Sequence, residues 1–200
     1  MKVKICGLTS VEEARYVTEY GADYAGFVMF FEKSKRNVTP EKAAEIIKTL
    51  GQNVSAVAVM VSPSVEEIKI AQKTGVSYLQ IHGELTEEMV EASELPIFKA
   101  FNVTDLDKYE YYCGFDKIIG FVMDAGEYGS GKTFDWNLIK GLERNGKLFI
   151  LAGGLNPDNV SYAIKCVNPD GVDVSSGVEY SDRPGKNPEL IRLFIGNAKE

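Results

Sequence analysis

The chain has 200 residues and 44% hydrophobic content, enough to bury one full core and suited to a single domain over residues 1–200. A formal net charge of −7 and a pI near 4.9 argue against nucleic acid or an anionic membrane as partner, because both require a broad cationic surface. The three cysteines, Cys6, Cys113 and Cys166, are odd in number and far apart. That spacing suggests neither a disulfide framework nor a CxxC metal site and points to a reducing, cytoplasmic compartment. The N-terminus does not resemble a signal peptide, and no apolar run approaches the ~18 residues of a membrane span.

The first apolar strand covers 2–6 and ends on Cys6, just before Gly7 and a helix in SVEEARYVTEYG (10–21). Ser10 suits an N-cap and Gly21 a C-terminal stop. A second strand near 24–29 leads through the basic loop FFEKSKRNVTP, which carries Arg36, into a helix over TPEKAAEIIKTLG (39–51). Thr39 is its expected cap, Pro40 fits its first turn and Gly51 its end. The strand near 54–61 precedes SVEEIKIAQKTG (64–75), stopped by Gly75, and the fourth strand, 77–82, carries Gln80 and His82. Strands near 97–101, 117–123, 147–152 and 171–175 then alternate with helical patterns in TEEMVEAS, TDLDKYEYY, FDWNLIKGLERNG, NPDNVSYAIKC and NPELIRLFIGNAK.

Eight strand–helix units of about 25 residues each match a minimal (β/α)8 barrel, with an open doubly wound sheet as the rival. No linker, low-complexity stretch or longer repeat marks a second domain. In a barrel, residues at the C-terminal strand ends and in the loops that follow line the site.

Side chains alternate across a strand, so Lys4 and Cys6 share one face, as do Gln80 and His82. Cys6 serves as a base near neutrality only if its pKa falls below the ordinary thiol value of about 8.5, and Lys4 is the cation expected to lower it. A small buried filler is the bland reading of that thiol, and Cys113 and Cys166 keep it. Asp124 ends the apolar strand KIIGFVM and precedes a Gly-rich loop. Partial desolvation there raises a carboxyl pKa and lets it hold a proton to donate. The alternative is an Asp that caps a turn or pairs with a loop lysine. An acid on strand 6 and a base on strand 1 suit proton shuttling rather than nucleophilic attack.

LAGGLNPDNV (151–160), with Gly153 and Gly154, and VDVSSGVE (172–179), with Asp173, Ser176 and Gly177, read together as a ligand-binding pair. Small residues after strands 7 and 8 let backbone amides approach a phosphate. Arg36 offers a bidentate fork to a carboxylate, against the plainer reading of a solvated loop with Lys33 and Lys35. His82 is the only histidine, with no ligand-spaced partner, so no metal site is expected. Residues 126–133, GEYGSGKT, satisfy the P-loop pattern GxxxxGK[ST]. Nucleotide hydrolysis is therefore the alternative reading, opposed by the loop's place at the sixth strand and by the lack of a convincing later magnesium-binding Asp, although Asp173 is a candidate.

Taken together, KICGLT, GFVMFFEKSKRNVTPEKA, LQIHGE, VMDAG with GSGKTFDW, LAGGLNPDNV and DVSSGVE resemble, in order and over nearly the whole chain, the phosphoribosylanthranilate isomerase family of tryptophan biosynthesis. The resemblance implies a (β/α)8 barrel that carries out an Amadori rearrangement of N-(5-phosphoribosyl)anthranilate without metal or organic cofactor. By motif it makes Cys6 the general base and Asp124 the general acid. Arg36 would hold the anthranilate carboxylate, His82 and Gln80 would line the site, and Gly153, Gly154, Asp173, Ser176 and Gly177 would fall on the substrate and its phosphate. The loop EYGSGKT departs from the commoner family form, a Gly-Gly-Thr-Gly run, and bears on the contact expected of Ser130; its P-loop match then reads as a mobile substrate-covering loop. The expected partner is a small phosphorylated molecule, and the expected assembly a monomer or homodimer. A noncatalytic phosphosugar-binding barrel is the competing class, and it would leave its ligand unaltered.

Overall fold

Eight parallel strands run β1 Lys2–Cys6, β2 Tyr24–Val28, β3 Ser55–Val61, β4 Tyr78–His82, β5 Ile97–Asn102, β6 Ile118–Asp124, β7 Leu148–Leu151 and β8 Gly171–Val174. Each pairs with the next, and β8 pairs with β1, which closes the barrel and excludes the open sheet. The computed structural model describes residues 1–102, 106–124, 139 and 141–200. Among these, helices α1 Val11–Glu19, α2 Pro40–Ile47, α3 Val65–Gln72, α4 Glu87–Ala92, α5 Tyr109–Cys113, α6 Val160–Val167 and α7 Pro188–Lys199 follow every strand except β6. The loop 125–133, with its P-loop match, and residues 134–138 and 140 of the helix expected in FDWNLIKGLERNG lie outside the described residues, and the described remainder, 139 and 141–146, is not helical.

Local chemistry sets the helix ends. Ser10 Oγ accepts from the Glu13 amide and Thr39 Oγ1 from the Lys42 amide, each satisfying an orphan donor of the first turn. Gly21 and Gly75 take positive φ (78° and 95°) as C-terminal stops should. Gly51 differs: α2 already ends at Ile47, and a Cβ at 51 would lie 2.4 Å from Thr18 Cγ2, so close approach rather than backbone handedness requires glycine there. The helix expected from residue 156 starts only at Val160, because Asn156 Oδ1 accepts from the amides of Asp158 and Asn159 and holds a turn first.

Strand alternation divides the apolar residues into two layers. Val3, Ile5, Ala25, Phe27, Leu79, Ile81, Phe121 and Met123 face the helices, while Cys6, Tyr24, Val57, Val59, Phe98, Ala100, Val122 and Ile150 fill the barrel. Tyr24, Tyr78 and Phe98, with ring centroids 5.4–5.7 Å apart, close the N-terminal end of the barrel.

One irregularity matters for the site. The β5–β6 register shifts between Ile97, opposite Ile118, and Phe98, opposite Gly120. Below the shift Ile119 packs against the inner cluster; above it Val122 does so. The extra residue reverses the faces, as a bulge does, and turns Asp124 toward the barrel mouth beside its register partner Asn102. Gly120 is required at this point, since a Cβ there would lie 2.8 Å from the Leu148 carbonyl oxygen.

Candidate active site

At the C-terminal end of the barrel a cleft of about 440 Å³ is lined by Cys6 from β1, Arg36 from the loop after β2, His82 from β4, Asp124 from β6 and Ser175 just past β8, with Val59 and Val61 on its floor. Four residues singled out in the sequence are thus brought to one cavity, and the thiol and the half-buried carboxyl share it.

Beneath Cys6 lies a buried ion pair. Lys4 and Asp173 are direct register partners on β1 and β8, and Lys4 Nζ donates to Asp173 Oδ2 at 2.8 Å with both side chains almost fully enclosed. Asp173 therefore sits inside the barrel, against Lys4, rather than on the cleft wall. Breaking such a pair from one side costs about 3–5 kcal/mol, because the other charge stays buried and unpaired. Gly26 makes the room: a Cβ there would lie 2.9 Å from Cys6 Sγ and 3.2 Å from Lys4 Cε. Burial works against the Lys4 ammonium, but Asp173 and Cys6 together outweigh it and hold the lysine charged. For Cys6 the balance goes the other way. Burial pushes the thiol up, Lys4 and Lys186 pull it down, Asp173 adds to the rise, and the net pKa lies above the ordinary value. The expectation of a lowered pKa is corrected: burial outweighs Lys4, which acts in the expected direction, and Asp173 adds to the rise. The resting group is the thiol.

Gln80 lies one inward position below His82 on β4, and Gln80 Nε2 is 2.9 Å from His82 Nε2. Burial, then the positive charges of Lys99 and Lys4, push the His82 pKa down to about 3. His82 is therefore a neutral imidazole at any working pH, suited to hydrogen bonding and not to carrying charge.

Arg36 crosses the first loop directly over Gly7, where a Cβ would lie 2.5 Å from Arg36 Cδ. Its Nε donates to Glu179 Oε1, and Lys186 and Lys35 donate to the same carboxylate. Burial pushes the Glu179 carboxyl up, but the donors, Arg36 foremost, prevail and bring it to about 2. Neither Glu179 nor Lys186 is marked as a site residue by the sequence alone. Glu179 closes the segment DVSSGVE, yet nothing in its spacing announces a partner 143 residues away.

Gly153 and Gly154 take φ of 82° and 65° at the end of β7, and Asn159 Nδ2 fastens that turn by donating to the Gly154 carbonyl at 2.9 Å. Past β8, residues Ser176–Val178 form a short 3-10 turn, and Gly177 packs so closely that a Cβ would lie 2.0 Å from the Leu155 carbonyl oxygen. The two loops therefore meet. Among the described residues the amides of Gly153, Gly154, Ser176 and Gly177 donate to no protein acceptor, which suits an oxyanion. Ser175 joins this cradle to the cleft, its Oγ donating to the Cys6 carbonyl at 3.0 Å.

The arrangement agrees with what the chain is related to. The family model described as N-(5'phosphoribosyl)anthranilate (PRA) isomerase matches residues 3–197. An N-(5'-phosphoribosyl)anthranilate isomerase from Bacillus cereus is 41% identical over 203 residues, covering 99% of this chain and 98% of the relative. A monomer of the dimeric phosphoribosylanthranilate isomerase from Thermotoga maritima superposes with a TM-score of 0.84 at 39% identity, covering 100% and 98% of the two chains. A phosphoribosyl anthranilate isomerase solved in complex with reduced 1-(o-carboxyphenylamino)-1-deoxyribulose 5-phosphate gives a TM-score of 0.84 at 38% identity, with the same coverage. With a closed eightfold barrel and matches along almost its entire length, the chain belongs to the N-(5'-phosphoribosyl)anthranilate isomerase family and is an isomerase of tryptophan biosynthesis.

Proposed function

We propose that Cys6 and Asp124 are the base and acid of the Amadori rearrangement that turns N-(5-phosphoribosyl)anthranilate into 1-(2-carboxyphenylamino)-1-deoxyribulose 5-phosphate. Asp124 gives its proton to the ribose ring oxygen, the C1–O bond breaks, and the nitrogen lone pair forms a protonated Schiff base at C1. Cys6, whose thiol first gives up its proton to solvent through the open cleft, then takes the proton from C2 as thiolate, and the enolamine tautomerises to the ketone. Lys4 supplies the adjacent positive charge that meets the thiolate as it forms. Arg36 receives the anthranilate carboxylate, neutral His82 offers a hydrogen bond, and the amides after β7 and β8 grip the phosphate. The observation that carries the reading is the shared cleft: the sulfur, the carboxyl and the guanidinium line one cavity beside four amides without acceptors among the described residues.

The working partner on this reading is a small phosphorylated molecule, the assembly a monomer or homodimer, and the compartment the cytoplasm; among the described residues no helix is long and apolar enough to cross a membrane. Turnover is followed by the loss of substrate fluorescence. Cys6→Ser and Asp124→Asn each lower kcat by about 10²- to 10⁴-fold. Correctly folded variants with normal turnover would refute the roles, and binding without conversion by the unmodified chain would favour the noncatalytic barrel.

A further inference from the structure

We propose that Glu179 is a positioning residue: it latches Arg36 by the Nε edge so that the guanidinium's terminal nitrogens meet the carboxylate of the substrate. The inference rests on the reading of Arg36 given above and adds to it the group that fixes its geometry.

Glu179 stands on a rigid base. An antiparallel bridge joins Glu179 to Lys186, the Tyr180 amide donates to the Gly185 carbonyl, and the Asn187 amide donates to the Val178 carbonyl. This hairpin is in turn tied to α1, since Glu13 accepts from the Lys186 amide at 2.7 Å and from the Thr9 amide at 2.6 Å. Glu179 is thus fixed relative to the loop that carries Cys6, Gly7 and Thr9. Its Oε1 accepts from Arg36 Nε at 2.5 Å and from Lys186 Nζ at 3.1 Å, and its Oε2 from Lys35 Nζ at 2.8 Å.

Arg36 is constrained from both sides, with its stem against Gly7 and its Nε on Glu179, and 15% of its side chain stays exposed where it lines the cleft. Contact through Nε alone stops rotation about the last side-chain bonds and leaves the two terminal nitrogens, the bidentate end, for a second carboxylate. The three cations around one carboxylate leave a local charge of about +2, so an incoming carboxylate is attracted rather than repelled. An arginine without this latch would have to be ordered at each binding event.

The test compares Glu179→Gln, Glu179→Asp, Arg36→Ala and the double variant Arg36→Ala/Glu179→Gln. Readouts are KM and kcat for N-(5-phosphoribosyl)anthranilate and the inhibition constant of inorganic phosphate, a probe with no carboxylate. Glu179→Gln raises KM about tenfold or more, the scale of one charge-assisted hydrogen bond, and lowers kcat by less. Glu179→Asp recovers part of the loss, phosphate inhibition stays within about twofold, and in the Arg36→Ala background the same change adds less than about twofold. An unchanged or lowered KM would overturn the inference, the latter showing that Glu179 competes with substrate for Arg36. A parallel loss of phosphate affinity, or a full Glu179→Gln effect without Arg36, would show that the carboxylate merely holds the loop together. Absence of turnover in the unmodified chain would sink the parent reading as well, whereas turnover with an unmoved Glu179→Gln KM sinks only this one.

Discussion

Acid should destabilise this barrel through a single side chain. His82 is the only histidine, and burial with Lys99 and Lys4 nearby brings its pKa to about 3 from an ordinary 6.5. Between those values the unfolded chain binds a proton that the folded chain refuses, so stability is full above pH 6.5 and falls as pH drops toward 3. Each pH unit in that window is worth about 1.4 kcal/mol, so moving from pH 8 to pH 5 removes about 2 kcal/mol. Glu179 and Asp23, both with lowered pKa values, begin to lose their contributions only as pH falls below about 4.5 and 3.8, so they scarcely enter this range. Urea unfolding at the two pH values, at fixed ionic strength, should show a midpoint lower by about 1 M at pH 5. His82→Gln should lose most of that difference, and the imidazole proton resonance of the parent should not titrate between pH 8 and 4. An imidazole titrating near 6.5, or a pH dependence that survives the substitution, would refute the assignment of a neutral buried His82.

With Cys113 and Cys166 replaced by serine, the alkylation rate of Cys6 should rise with a midpoint above the ordinary thiol value. Lys4→Met should move it higher still, because Lys4 opposes the rise; a midpoint below pH 8 would contradict the burial argument. Gly177→Ala places a carbon 2.0 Å from the Leu155 carbonyl oxygen, where ordinary contact begins near 3.4 Å, so the loops after β7 and β8 must part by more than about 1 Å. A stability loss of about 1–3 kcal/mol and a raised KM follow, measured by thermal melts and steady-state kinetics. Gly196→Ala, at an exposed position of α7, meets nothing within 4 Å and should instead raise Tm by about 2–4 °C; similar behaviour of the two variants would show that the close contact does not matter.

The strand–helix rhythm was legible because alternating apolar runs and capping residues are local signals, and Ser10 and Thr39 cap as their chemistry requires. Cys6, Arg36, His82 and Asp124 could be singled out because barrel topology sends strand ends and their loops to one mouth. What escaped was nonlocal. Simple alternation does not disclose the bulge at Ile119–Gly120 that turns Asp124 inward. Nor does it reveal how deeply Cys6 is buried or that Asp173 pairs with Lys4, and burial first, with Asp173 adding to it, reverses the expected sign of the Cys6 shift. Glu179 gave no sign for the same reason: its three cations come from the loop after β2 and from beyond β8, and only folding assembles them. Gly51 looked like a helix stop by position, but packing against Thr18 is its actual constraint.

The division of labour between Cys6 and Asp124 is tested most directly by single-turnover kinetics with substrate deuterated at ribose C2. If Asp124 opens the ring and Cys6 removes the C2 proton, Cys6→Ser makes C2–H cleavage rate-limiting and shows a full primary isotope effect. Asp124→Asn makes ring opening rate-limiting and brings the effect close to one. The reverse pattern, or the same isotope effect in both variants, would contradict the assignment.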